Sequence, residues 1–213
     1  MLKVGLTGGI ATGKSHVASK LRERGIPVLD ADELAHGVMA AGTEATAAIV
    51  ARFGAEVLAS DGSVDRARLG PIVFADPAAR KDLEAIVHPA VHRATAAGIR
   101  GFELTGDYPI AVVDVPLLFE TGGRKHYDRV IVTTCPVETQ IARMRERGLD
   151  EAAARQRLAA QMPSADKAAQ ADYVIDTSGT FAETDRRLDD VLSAIRSIRN
   201  PQSQIRNPQS EFP

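Results

Sequence analysis

Residues 8–15 read Gly-Gly-Ile-Ala-Thr-Gly-Lys-Ser, a full match to G-x-x-x-x-G-K-[ST]. That spacing is a device for holding phosphate. Gly8 and Gly13 are expected to take backbone angles closed to other residues, so that successive N–H groups turn inward around phosphate oxygens. Lys14 is placed to reach the β- and γ-phosphates of a nucleotide, and the Ser15 hydroxyl to ligate Mg²⁺. The candidate nucleotide contacts are Gly8, Gly9, Ala11, Thr12, Gly13, Lys14, Ser15 and His16. His16 either adds a donor beside the phosphates or sits on the surface of the following helix.

A second set of residues suits phosphate transfer. Asp30-Ala31-Asp32 follows a strand-like run. In a parallel sheet all strand C-termini open on one rim, where ligands bind. A carboxylate there can take the proton of an attacking hydroxyl or orient it. Asp30, nearer the strand, suits a helix N-cap, which leaves Asp32 as the catalytic candidate. Asp114 ends another strand-like run, Ile110–Val113, as a Mg²⁺-shell residue or a plain turn aspartate. Arg143 and Arg147 share a helical face. Such like charges repel by about 0.2–0.5 kcal/mol without an anion between them, and a lid carrying arginine to the phosphates is the functional reading. His88-Pro89 marks an expected helix break or kink, and Cys135 carries no assigned chemistry.

These residues need a scaffold. Strand-like runs recur at Leu2–Thr7, Ile26–Leu29, Ile110–Val115, Val130–Thr133 and Tyr173–Ile175, separated by helical patterns. Such alternation predicts an α/β fold with a parallel five-stranded sheet and helices on both faces. Val17, Ala18 and Leu21 give helical spacing directly after the loop, so the phosphates also meet a helix N-terminus. Between the second and third strands lie helical segments at about Ala31–Met39, Glu44–Phe53, Asp65–Phe74 and Ala78–Glu103. The closing helix carries a stripe from Phe181 and Thr184 through Leu188, Leu192 and Ile195. After it IRNPQS occurs twice, at 198–203 and 205–210, with almost no apolar content, and predicts a disordered tail over 200–213.

The bulk properties remove other classes. The 213 residues are 44% hydrophobic and 25% charged, with a net charge of −2, which gives no bulk attraction for nucleic acid. One cysteine permits neither an intramolecular disulfide nor a cysteine-based zinc site, and suits a reducing cytoplasm. No apolar run approaches the roughly 20 residues of a membrane span, and no signal peptide precedes the first strand.

Taken with Asp30-Ala31-Asp32, His88-Pro89, Val115-Pro116-Leu117-Leu118-Phe119-Glu120, Gln140 with Arg143 and Arg147, Arg155 with Gln161, and Ala171-Asp172-Tyr173-Val174-Ile175, the loop resembles dephospho-CoA kinases over about Leu2–Arg196. The resemblance implies a P-loop NTPase fold of nucleoside-monophosphate-kinase type. It implies one kinase domain over 1–199, with a core of about 1–30 and 109–199, a helical substrate-binding insertion at 31–108 and a lid at 140–162. The implied reaction moves the ATP γ-phosphate to the 3′-hydroxyl of dephospho-CoA, with Mg²⁺. Asp32 takes the family's catalytic aspartate position and Arg143 that of its lid arginine, beside Lys14. The implied partners are two small molecules, with no nucleic acid and no membrane. Ala11-Thr12 replaces the usual Gly-Ser, and His16 a common Thr. Thr177 replaces a frequent Asn, which bears on a nucleotide-edge contact. Shikimate kinase is the nearest rival, pairing a phosphate loop with Asp-x-Asp and having a substrate loop that Gly122-Gly123-Arg124 faintly resembles, but the long insertion before the third strand and the Pro-Leu-Leu-Phe-Glu run argue against it. A GTPase would need Asn-Lys-x-Asp, yet both asparagines, Asn200 and Asn207, lie in the tail. A mechanical ATPase would need an acid directly after Asp114, where Val115 stands.

Overall fold

Short apolar runs rich in β-branched residues make the strands, and the polar turns between them cap the helices. The computed structural model describes residues 1–106 and 108–199; the tail expected at 200–213 lies outside them. Five strands, β1 (Leu2–Gly8), β2 (Val28–Asp30), β3 (Ile110–Asp114), β4 (Arg129–Thr134) and β5 (Tyr173–Asp176), form a parallel sheet. The helices among the described residues are α1 (Lys14–Glu23), α2 (Ala31–Val38), α3 (Glu44–Phe53), α4 (Arg66–Ala75), α5 (Pro77–Thr105), α6 (Val137–Glu146), α7 (Glu151–Ala159), α8 (Ser164–Ala169) and α9 (Phe181–Arg199). None is long and apolar enough to cross a membrane.

Contacts divide the described chain into two compact units: residues 27–115 with Met1, and residues 2–26 with the chain from 116 to 199. In the 27–115 unit β2 pairs with β3 in the register Val28↔Val112 to Asp30↔Asp114. β2 begins two residues later than the apolar run at Ile26. Pro27 has no N–H for the ladder, although its carbonyl accepts from Val112 N at 2.9 Å. The helices start where the sequence offers a capping oxygen. Asp30, Thr43, Asp65 and Asp76 each accept from first-turn amides, a device worth about 1 kcal/mol apiece. Met39, Ile49, Phe53, Val57 and Leu69 form the apolar centre, with Leu83 and Val87 of α5 packed against it.

His88-Pro89 does not break α5, which runs 29 residues with Pro89 inside it. The proline costs one bond, to the carbonyl of Ala85. Ala85, His88 and Pro89 are all exposed, so water can serve that carbonyl while the opposite face stays packed.

In the other unit β4 lies between β1 and β5, in the registers Leu6↔Ile131 and Val132↔Val174. Asp172 accounts for the polar start of the Ala171–Ile175 run. Its Oδ2 accepts from Val130 N at 2.7 Å and from Arg124 Nη2 at 2.8 Å. Leu188, Leu192 and Ile195 bury the α9 stripe, and Thr184 is buried with them, whereas Phe181 is 72% exposed. It stands at the helix start with its ring 4.5 Å from that of His16.

Candidate active site

β1 delivers the chain into the loop at Gly8. This glycine is required for space and not, as the motif suggested, for an unusual backbone angle. A Cβ here would lie 2.5 Å from Thr12 Oγ1 and nearer still to Thr133 Oγ1. Positive φ falls at Gly13 (80°) and at Ala11 (58°), the one described residue other than glycine to adopt it. Thr12 is 1% exposed. Its hydroxyl donates to Gly9 O at 2.7 Å and lies 2.8 Å from Thr133 Oγ1. Gly13 is the N-cap of α1 and, having no side chain, gives the first turn no side-chain cap. The amides of that turn and the helix dipole make a site for an anion. Around them is a cavity of about 490 Å³, lined by residues 8–16 together with Arg143, Arg147, Thr177 and Phe181.

The structure brings most of the predicted site residues together here. Lys14 and Ser15 open α1 and line the cavity. Arg143 donates from Nη1 to Ala11 O at 3.2 Å and from Nη2 to Thr177 O at 2.6 Å. Arg147, one turn on, lines the same cavity. His16 also lines it, but its Nε2 is taken by Asp185 Oδ1 at 2.8 Å, so its ring is engaged with α9. Arg124 is held by Asp172 and by Tyr127 O, which occupies the arginine of the Gly122-Gly123-Arg124 turn. Asp32 and Asp114 belong to the 27–115 unit. Asp30 caps α2, accepting from Asp32 N and Glu33 N at 2.8 and 3.2 Å, and leaves Asp32 exposed in the first turn. Asp114 is 3% exposed at the end of β3. That unit has its own cavity of about 250 Å³, lined by Met39, Leu69, Val73 and Val87, with Arg66 and His88.

The contacts of other residues here were not foreseen from the sequence, which marked Thr177 only for a nucleotide-edge contact. Thr177 lies between the loop and the end of β5, and Gly13 approaches it closely enough that a Cβ would sit 3.2 Å from Thr177 Oγ1. Gln161 Oε1 accepts from Ile10 N at 3.0 Å, while Ile10 and Ala11 pack on Ile141 and Met144 of α6. Gln140 is 1% exposed, and its Oε1 has no partner. It stands at the edge of a further cavity of about 620 Å³ with Gly9, Leu158, Met162 and Ser164. Cys135 lines that cavity too, and burial pushes its thiol above the usual range against a downward pull from Arg143. Lys167 is fully buried and paired with Glu120 at 2.8 Å. The only advance signal for Gln161 and Glu120 was their place in family-like runs. The described residues contain no cluster of three or more His, Cys, Asp or Glu side chains able to hold a metal.

The dephospho-CoA kinase family model matches residues 2–183. A dephospho-CoA kinase of Anaeromyxobacter dehalogenans is 48% identical over 200 residues, which cover 93% of this chain and 94% of that one. One from Leifsonia xyli is 45% identical over 92% of this chain and all of its own length. Among solved structures, dephospho-CoA kinase from Campylobacter jejuni superposes with a TM-score of 0.70 at 25% identity, covering 92% of this chain and 98% of its own. A Thermus thermophilus protein superposes at 0.77 with 34% identity, over 91% and 97%.

Proposed function

The chain belongs to the dephospho-CoA kinase family, and from that premise we infer how its residues carry out ATP-dependent phosphorylation of dephospho-CoA to coenzyme A. The observation that carries the assignment of roles is the cavity that residues 8–16 line at the start of α1, where Gly13 offers no side-chain cap. Lys14, Ser15 and the loop amides line one cavity there. The amides would hold the β- and γ-phosphates, and Lys14 would add the charge that follows the transferring group. Ser15 would supply one oxygen to Mg²⁺, a hard cation that neutralises phosphate charge and keeps most of its other ligands as water and phosphate. Arg143 and Arg147 would raise the positive charge at the cavity rim, and within the expected lid of 140–162 the residues beyond α6 would close over it, since Arg143 is already bonded to Ala11 O and Thr177 O.

Asp32 is our choice for the base that takes the proton of the 3′-hydroxyl. Support comes from the division of labour in the pair, since Asp30 satisfies the helix amides. The helical part, residues 31–108, would hold the rest of the acceptor. Its cavity joins apolar walls to a charged edge at Arg66, which lies 2.6 Å from His36 Nε2, and so suits a molecule with an apolar arm and phosphates. Both substrates are soluble metabolites, and we place the enzyme in the cytoplasm.

ADP release, coupled to an indicator reaction, tests the reading directly. Dephospho-CoA should stimulate it strongly and shikimate should not. Equal release with shikimate, or with no acceptor, would overturn the assignment of acceptor.

A further inference from the structure

We propose that Thr177 is a positioning residue for phosphate transfer: its hydroxyl fixes the peptide plane between Thr12 and Gly13, so that Gly13 N–H is presented to the nucleotide. This rests on reading residues 8–15 as the ATP-phosphate site.

Thr177 is 3% exposed and follows β5. Its own N–H donates to Thr134 O at 2.8 Å. The hydroxyl has one proton to give. Two carbonyls lie within reach, Thr12 O at 2.8 Å and Thr134 O at 3.3 Å. Thr134 O is already served by the Thr177 amide, and Thr12 O is nearer, so the proton goes to Thr12. The same hydroxyl oxygen accepts from Arg143 Nη1 at 3.2 Å, and Thr177 O accepts from Arg143 Nη2 at 2.6 Å. Arg143 Nη1 also reaches Ala11 O. One threonine thus holds residue 12 directly and residue 11 through the arginine.

The loop needs such a hold. Ala11 sits at φ 58°, a conformation that an L-residue with a Cβ adopts at a cost and keeps only when its surroundings enforce it. A trans peptide points its carbonyl and its N–H in opposite directions. With Thr12 O drawn towards Thr177, the N–H of Gly13 is aimed away from β5 at the start of α1. Without the hydroxyl, Thr12 O would be a buried acceptor lacking its donor, and the plane could turn to find another.

Thr177→Val keeps the shape and removes the hydroxyl, and Thr177→Ser keeps the hydroxyl and removes the methyl. By equilibrium titration with Mg·ATP, Thr177→Val should raise Kd about tenfold, the size of effect one lost buried hydrogen bond produces. Its KM for dephospho-CoA should stay within about twofold, whereas Thr177→Ser should return Kd to within about twofold of the parent. A Kd unchanged in Thr177→Val would overturn the proposal, and so would a serine variant as weak as the valine one. If Thr177→Val does not fold, Thr177→Ala is titrated in its place with the same expectation. Loss of folding in both would make Thr177 structural and equally end the proposal. The titration needs no acceptor. A parent chain that binds ATP but shows no dephospho-CoA-dependent ADP release would defeat the acceptor assignment and leave this proposal to be judged on Kd.

Discussion

Asp30 and Asp32 are chemically alike and two residues apart, and their surroundings separate them. Asp30 Oδ1 accepts from both first-turn amides of α2; Asp32 lies exposed one residue into the helix. Asp32→Asn keeps the size and removes the basicity. It should lower kcat by about 10²–10⁴-fold, the usual worth of a general base, with smaller changes in either KM and an unchanged melting temperature. Steady-state kinetics and a thermal melt decide this, and lost thermal stability at normal kcat would make Asp32 a helix-start residue only. The sequence separated the two because N-capping depends on neighbours within three positions. The placement of Lys14 and Ser15 at the start of α1, on the loop cavity, was legible for the same reason, since it follows from local spacing after Gly13. The loop contacts of Thr177 and Gln161 were not. Their contacts reach across 165 and 151 residues of chain, and nothing local in an isolated Thr or Gln marks such a partner. Ala11 was misjudged the other way. Glycines mark where positive φ is cheap, and this loop adopts it at an alanine while Gly8 is needed for close approach.

At the scale of elements, the Val115–Glu120 run reads as a strand end and turn, and its purpose shows only in the packing. Glu120 Oε1 accepts from Met162 N at 3.2 Å and pairs with Lys167, whose side chain is fully buried. Lys167 Nζ also donates to Pro116 O at 3.0 Å, and the Thr7 hydroxyl to that same carbonyl at 3.1 Å. One turn therefore ties α8 to the end of β1. An ammonium without its carboxylate is expensive to bury, and removing one member of such a pair costs about 3–5 kcal/mol. Glu120→Ala should lower the urea midpoint accordingly, with Glu120→Gln in between, because the amide still accepts a hydrogen bond but carries no charge. An unchanged midpoint in Glu120→Ala would mean that Lys167 finds another anion or reaches water. Periodicity correctly located α3, α5 and α9. It carried the expected segment Ala78–Glu103 across Pro89, but it could not say whether the proline would break that segment, because the outcome depends on which side of the helix meets solvent. Nor could it place Phe181, which fits the α9 stripe by spacing yet lies in the first turn, against His16 and outside the apolar face.

For the whole molecule, the division into two units makes ligand binding a test of where each substrate sits. The phosphate loop and its cavity lie wholly within residues 2–26 and 116–199. A ligand that binds only the folded state adds about 2.7 kcal/mol at 100 times its Kd. For a chain of this size, each kcal/mol moves the melting temperature by about 2–4 °C. Saturating Mg·ATP should therefore raise it by about 5–10 °C. If the units unfold together, the single transition moves. If they unfold separately, the transition of the loop-bearing unit moves with ATP, and that of the 27–115 unit moves with dephospho-CoA alone, as expected if residues 31–108 hold the acceptor. Lys14→Ala should reduce the ATP shift to about 2 °C or less, the outcome expected of the phosphate-binding role we propose for this lysine. Differential scanning calorimetry distinguishes these cases. A full ATP shift in Lys14→Ala would show that the lysine contributes little to ground-state binding, and that its charge matters only as the phosphate moves.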